Sequence, residues 1–384
     1  MKKKVSIIVI HYNQSEYVKI ALDSVFQQSY KEIELIFADD ASDDIDLNDL
    51  KKYCQRKNVN KMKIVWQINS TNLGTVKSLN QALTKCTGDY VLIFAADDKL
   101  YSNDVIEKYV DSFEKNEQDV ALIFGQCYMM DKELNKLCYK FIDYNKGEEF
   151  NQLSSLGQFK VLSNECFIAM GASMVKMDAL KKIHNFDERY KYVEDYSLFL
   201  NLSLNGYKMM FDPKINGLFH RDGGISHRDE NRKLEQHHID FFKDIIKITE
   251  ICIFPYFNVF DYENKNKIVN TYVQRIKDLS VHGVTYDISA FRKLKKKNLL
   301  FFIFKRINKV DDTFKVYAKE KINFLLNMVY LLTCLIYLYN SVFLKKFYFK
   351  FLIILSCCFF FVNLILFIIR FIYHVIRKIV VFCN

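Results

Sequence analysis

Only two prolines occur in 384 residues. That scarcity argues against a proline-rich interaction protein and against long disordered linkers. The ten cysteines form no CxxC pair and no cysteine–histidine spacing of the zinc type, which excludes a zinc module. The close pair Cys357-Cys358 lies inside an apolar run, and the thiols are expected to be buried and reduced. No GxGxxG follows the first apolar stretch and no GxxxxGK[ST] occurs anywhere, so dinucleotide and P-loop readings are weakened. No cleavable leader is visible either: residues 1–4 (MKKK) pass directly into the apolar stretch 5–10 and then into His11, Tyr12 and Asn13. The folded part is expected to stay in the cytoplasm.

What is present is mostly folding material. Half of the residues are hydrophobic, with 34 Phe and 24 Tyr, enough for a large core and for two or three domains. The net charge of +10 is unevenly spread: from Ala290 onward 17 Lys/Arg face Asp311, Asp312 and Glu320, leaving the preceding part net acidic. A basic tail suits nucleic acid or anionic lipid, and the apolar segments mixed into this one favour lipid.

Strand and helix patterns alternate over the first 230 residues. Residues 5–10 read as a strand, 16–27 as a helix with one apolar face, 33–38 as a strand, 48–56 as a helix, 63–67 as a strand and 75–84 as a helix. The stretch 88–98, GDYVLIFAADD, then carries no polar residue from Val91 to Ala96 before two adjacent carboxylates. Such an order predicts an α/β domain with a mostly parallel sheet, and ligands of open α/β sheets bind beyond the carboxyl ends of the strands. Two strands end on paired acids, Asp39-Asp40 and Asp97-Asp98. Carboxylates there suit base or ribose donors, or a hard divalent cation that neutralises a diphosphate. A turn or helix cap is the plainer alternative for each pair.

The second half reads as a strand over 121–128, a helix-like stretch over 147–162 and a small, apolar segment over 167–175 suited to close packing beneath an acceptor cleft. Glu194-Asp195 opens a helix, 208–211 form a short strand before Asp212-Pro213, and 218–227 form a loop dense in His, Arg and Gly.

Residues 5–13 (VSIIVIHYN), 36–42 (IFADDAS), Asn72-Leu73-Gly74, 88–98, Glu194-Asp195 and 220–226, in this order and spacing, resemble a family 2 glycosyltransferase with the GT-A fold. The resemblance covers about the first 227 residues and not the tail. It implies that Tyr12 lies against the nucleotide base, that Asp40 accepts from the base imide with Asp39 in support, and that Asn72 and Lys77 contact the nucleotide sugar. It further implies that Asp97 faces the ribose, that Asp98 with His220 holds Mn²⁺ or Mg²⁺, and that Arg221 belongs to the loop closing over the diphosphate. Asp195 matches the catalytic base. Ala95 stands where most members carry another Asp, so the acidic motif is reduced and His220 gains weight. The QxxRW motif of processive synthases is absent, which favours addition of one sugar per encounter.

The expected chemistry is inverting transfer: the cation and Arg221 stabilise the leaving diphosphate while Asp195 takes the proton of an acceptor hydroxyl. Plainer readings stand beside these: Asp195 as a helix cap, Tyr12 as a packing residue, His220 as an ordinary loop histidine. His11, His237 and His238 are expected at surface or satisfied positions. As whole-protein alternatives, an inactive membrane-bound adaptor retains the nucleotide site, and a nucleotidyltransferase would need a Gly-rich basic loop that Tyr12-Asn13-Gln14-Ser15 does not provide.

Residues 1–230 are read as the catalytic domain, 231–298 as a helical linker region, and 299–384 as a basic and apolar membrane-association region. The runs 322–344 and 351–369 contain no charged residue and approach the roughly 20 residues that span a bilayer. Two spanning helices would place Lys345, Lys346 and Lys350 on the far side, against the positive-inside tendency; the alternatives are a hairpin lying in the interface or two helices dipping into one leaflet, with a buried helical hairpin as the soluble reading. The expected place is the cytoplasmic face of the membrane, and the expected acceptor is a glycan or lipid-linked glycan.

Overall fold

The computed structural model describes residues 2–116, 119–221, 235–298 and 301–302. Residues 1–299 form one compact unit. Its first half alternates β1 (Val5–His11), α1 (Ser15–Phe26), β2 (Ile33–Asp39), α2 (Leu47–Lys57), β3 (Lys63–Ile68), α3 (Thr75–Leu83) and β4 (Tyr90–Ala95). There follow β5 (Lys99–Leu100), α4 (Val105–Lys115), β6 (Val120–Met130), β7 (Leu137–Lys140), α5 (Tyr144–Asn151), α6 (Ser155–Leu162), β8 (Ser173–Lys176), α7 (Met177–Lys182), α8 (Asp195–Leu204) and β9 (Lys208–Arg221). Helices α9 (Gln236–Ile248), α10 (Tyr262–Val281) and α11 (Ser289–Lys297) complete the unit.

The strands make one sheet in the order β3-β2-β1-β4-β8-β6-β9-β5, with β7 paired to β6. β1 to β4 pair in parallel through helical crossovers, and β1, β2 and β4 are buried along almost their whole length, as strands covered on both faces are. β8 enters antiparallel between β4 and β6, and β5 and β7 also run antiparallel to their partners, so the sheet is mixed, with the co-directional strands β1 to β4, β6 and β9 in the majority.

Burial follows the sequence pattern. Ile7, Val9, Leu35, Phe37, Leu92 and Phe94 form one buried cluster with Val18, Leu22 and Val25 of α1, each such side chain contributing about 1.5–3 kcal/mol on burial. The helix-like stretch at 147–162 is two helices, because Asp143 and Ser154 each cap one by accepting from Lys146 N–H and Gly157 N–H. The strand expected to stop before Asp212-Pro213 continues to Arg221. Its register with β6 jumps from Phe124↔Phe211 to Gln126↔Asn216, so Pro213, which has no N–H to give a ladder, falls in the bulge. His220 and Arg221 are therefore strand residues opposite Met129 and Met130, not loop residues.

Among the described residues no helix is long and apolar enough to cross a membrane. The runs 322–344 and 351–369, and residues 222–226 of the His/Arg/Gly segment, lie outside the described residues.

Candidate active site

Because β1 lies between β2 and β4 in parallel, the carboxyl ends of all three open on one edge of the sheet. Register pairs His11 with Asp39, and the chain turns there into Tyr12, Asp40 and the Asp97-Asp98 pair. Tyr12 is 47% exposed, whereas Asp39, Asp40, Asp97 and Asp98 are all buried.

Asp39 is held by its neighbours. Its Oδ1 lies 2.7 Å from His11 Nδ1 and accepts from Ser42 Oγ at 2.6 Å, and Oδ2 accepts from Ser42 N–H. Burial opposes ionisation, but these hydrogen bonds outweigh it and hold Asp39 below the usual carboxylate range. Gln14 N–H donates to His11 Nε2, so the imidazole carries its proton on Nδ1, toward Asp39. The expectation of a satisfied His11 fits this geometry, and its partner was readable from the parallel register.

Asp40 anchors a second loop. Its Oδ1 accepts from Leu73 N–H, Ser78 Oγ and Asn69 Nδ2, and its Oδ2 from Gly74 N–H, at 2.7–2.9 Å. Asn72, beside Leu73, and Lys77, in the first turn of α3, are exposed.

Asp97, Asp98, His220 and Arg221 converge. His220 Nδ1 lies 2.9 Å from Asp98 Oδ1, and Arg221 N–H donates to the same oxygen at 3.1 Å. Arg221 Nη2 and Nε donate to Asp97 Oδ2 at 2.8 and 3.2 Å, and its guanidinium lies 4.3 Å from the ring centre of Tyr17. Burial and the adjacent Asp98 push Asp97 above the ordinary carboxylate range, against the pull of Arg221. Burial alone would lower His220, but the Asp98 charge and hydrogen bond raise it. Gly171 lies against this cluster: a Cβ there would meet Leu218 Cδ2 at 2.6 Å and Asp98 Oδ2 at 3.7 Å.

Two adjacent hard carboxylates beside an imidazole are a donor set suited to Mn²⁺ or Mg²⁺, and the strain on Asp97 is of the kind a cation relieves. Among the described residues no group of three His, Cys, Asp or Glu side chains is arranged to hold a metal by itself. A cation bound here takes its remaining ligands from water or from a diphosphate.

Asp195 lies on a different element, and among the described residues no hydrogen bond joins it to Asp97 or Asp98. It is the first residue of α8 and accepts from Tyr196 N–H. Burial raises its proton affinity, and burial together with the Asp195 charge raises that of Glu194. Glu194 was missed as a candidate, although two adjacent acids ahead of an apolar helix already signalled a pair that could not both ionise cheaply. Tyr17, beneath Arg221, had no sequence signal.

Residues 6–184 match the family described as glycosyl transferase family 2; the match stops short of Asp195. The amylovoran biosynthesis glycosyltransferase AmsB of Erwinia amylovora is 25% identical over 62% of this chain and 77% of its own. An uncharacterized glycosyltransferase of Haemophilus influenzae is 23% identical over 81% of this chain and 96% of its own. Among solved structures, the mannosyltransferase PcManGT of Pyrobaculum calidifontis with GDP-Man and Mn²⁺ is 13% identical, covers 83% of this chain and 84% of its own, and has a TM-score of 0.49. S. aureus TarS 1-349 with UDP is 17% identical over 72% of each chain, with a TM-score of 0.46. The likeness to glycosyl transferase family 2 thus lies in residues 6–184, just under half of the chain, and with relatives named glycosyltransferases the protein is a glycosyltransferase.

Proposed function

We propose that the chain transfers a sugar, with inversion and in the GT-A arrangement, from a nucleoside-diphosphate sugar, with UDP as the first nucleotide to test, to a hydroxyl of a glycan or lipid-linked glycan. The observation that carries this reading is the buried Asp97-Asp98 pair at the end of β4, met by His220 and Arg221 from β9. An arrangement of two anions, an imidazole and a guanidinium on a strand-end edge suits a diphosphate and its counter-cation. In this role Asp98 and His220 hold Mn²⁺ or Mg²⁺, which when bound stabilises the charge of the departing diphosphate.

The protein's own groups do the rest. Arg221, fixed over Tyr17 by its bonds to Asp97, supplies a cation near the phosphates. The exposed ring of Tyr12 offers a stacking face for the base, while the exposed Asn72, on the loop anchored by Asp40, and Lys77, in the first turn of α3, contact the nucleotide sugar. Asp195, with proton affinity raised by burial, accepts the proton of the acceptor hydroxyl. Direct attack by that hydroxyl inverts the anomeric centre and needs no second nucleophile.

A place on the cytoplasmic membrane face fits the basic tail, with residues 1–230 catalytic, 231–298 linking and 299–384 membrane-associated. The exposed Arg292, Lys293, Lys295, Lys296 and Lys297 of α11, with Leu294 buried beneath them, suit an anionic lipid surface. The relative named for amylovoran biosynthesis supports a biosynthetic role in surface polysaccharide or glycolipid assembly.

The test is a panel of nucleotide sugars assayed for hydrolysis and transfer with wild type and Asp195→Asn. The variant is expected to keep nucleotide binding and to lose about a hundredfold or more of kcat. Activity within about tenfold of wild type would remove Asp195 from the base role.

A further inference from the structure

Helix α9 lies beyond residues 6–184 that match the family, yet one of its side chains reaches the segment leading to Asp195. Asp244 is 7% exposed, and its Oδ2 accepts from the backbone N–H groups of both Lys191 and Tyr192, at 2.7 and 2.8 Å. Two convergent N–H groups on one ionised oxygen form charge-assisted bonds, stronger than neutral ones. They fix the backbone immediately ahead of Glu194-Asp195.

The same segment also grips the donor side. Lys191 C=O accepts from Val76 N–H at 3.2 Å. Gly74 sits at φ +85°, where an added Cβ would lie 2.7 Å from Lys191 Cγ and 3.0 Å from Lys191 O. Gly74 N–H and Leu73 N–H in turn donate to Asp40. One continuous set of contacts therefore runs from Asp244 through the Lys191 backbone and Gly74 to Asp40.

We infer that Asp244 is a positioning residue that sets, through the Lys191-Tyr192 backbone, both the Asp195 end of the acceptor side and the Asn72–Gly74 loop of the donor side. The catalytic roles of those two regions rest on the function proposed above; the mechanical link between them does not. Asp244 touches no substrate in this account. It acts by holding the two loops in one register, so that the base and the donor loop are ordered together.

Hydrogen exchange on the full chain tests the link without any substrate. Asp244→Ala is expected to raise exchange about tenfold or more in peptides covering 70–78 and 186–193 together, with β1 and β2 unchanged. Asp244→Asn, which keeps an acceptor oxygen, is expected to restore most of that protection. Donor KM and kcat are expected to worsen together in Asp244→Ala and to recover in Asp244→Asn. A folded Asp244→Ala whose 70–78 peptide exchanges as in wild type overturns the inference. If the alanine variant does not fold, Asp244→Ser, whose side chain is too short to reach both N–H groups, takes its place, and the same rise or absence of a rise in the 70–78 peptide decides the link. A wild-type chain that binds no nucleoside diphosphate removes the proposed function but leaves the exchange result to decide the link by itself.

Discussion

His220 Nδ1 and Asp98 Oδ1 lie 2.9 Å apart although 122 residues of chain separate them. The contact exists because β9 runs past its proline bulge and carries His220 level with Met129 at the far end of β6. It joins the two halves of the sheet at the strand-end edge. The imidazole is hydrogen-bonded to one buried carboxylate while Arg221 pairs with the other, so both acids have polar partners before any ligand arrives.

Gly74 is predicted to tolerate no side chain. At φ +85° and with Lys191 O 3.0 Å from an added Cβ, Gly74→Ala combines backbone strain with a clash that includes backbone. Urea unfolding is expected to show a loss of about 1–3 kcal/mol. A change below about 0.5 kcal/mol, the range of ordinary surface substitutions, would contradict the assigned conformation.

Glu34 predicts the acid limb of stability. Burial within β2 opposes its charge, but hydrogen bonds from Lys4 Nζ, Thr87 N–H and Ser6 Oγ prevail and lower its pKa from 4.5 to about 2. A folded-state pKa below the unfolded one stabilises the fold above about pH 4.5, and that contribution is lost as pH falls toward 2. Glu34→Gln is expected to cost about 2–3 kcal/mol at pH 7 and to flatten the pH dependence between 4.5 and 2. Parallel unfolding curves for wild type and variant across that window would contradict it.

The basic face of α11 predicts a lipid preference. With Lys293→Glu, Lys296→Glu and Lys297→Glu combined, sedimentation of the full chain with phosphatidylglycerol-containing vesicles is expected to weaken about tenfold or more, with binding to phosphatidylcholine vesicles unchanged. Equal binding of wild type and variant to both vesicles would contradict a role for this face.

Much of the first half was legible because its signals are local. The apolar runs of β1, β2 and β4 have no polar interruption long enough to suit anything but buried strands, and the acids at their ends mark the edge where ligands bind. Glu34 interrupts β2 without breaking it, since its partners come from Ser6 and Thr87, residues that no local window contains. The β9 extension was hidden for a related reason: Asp212-Pro213 is a stop signal by itself, and only the bulge against β6 absorbs it. Asp40 illustrates the limit for side chains. Its place at a strand end could be read, but not that Leu73, Gly74, Ser78 and Asn69 would occupy its carboxylate. Asp244 gave no signal because its partners are backbone groups about fifty residues earlier.

The Asp97-Asp98 edge is expected to bind a nucleoside diphosphate with a divalent cation held through Asp98 and His220. Calorimetric titration of UDP and other nucleoside diphosphates, with and without Mn²⁺, into wild type and His220→Ala tests it most directly. The predicted result is binding by wild type that Mn²⁺ strengthens, with the Mn²⁺-dependent part reduced about tenfold or more in the variant. No binding of any nucleoside diphosphate to wild type under either condition would contradict it.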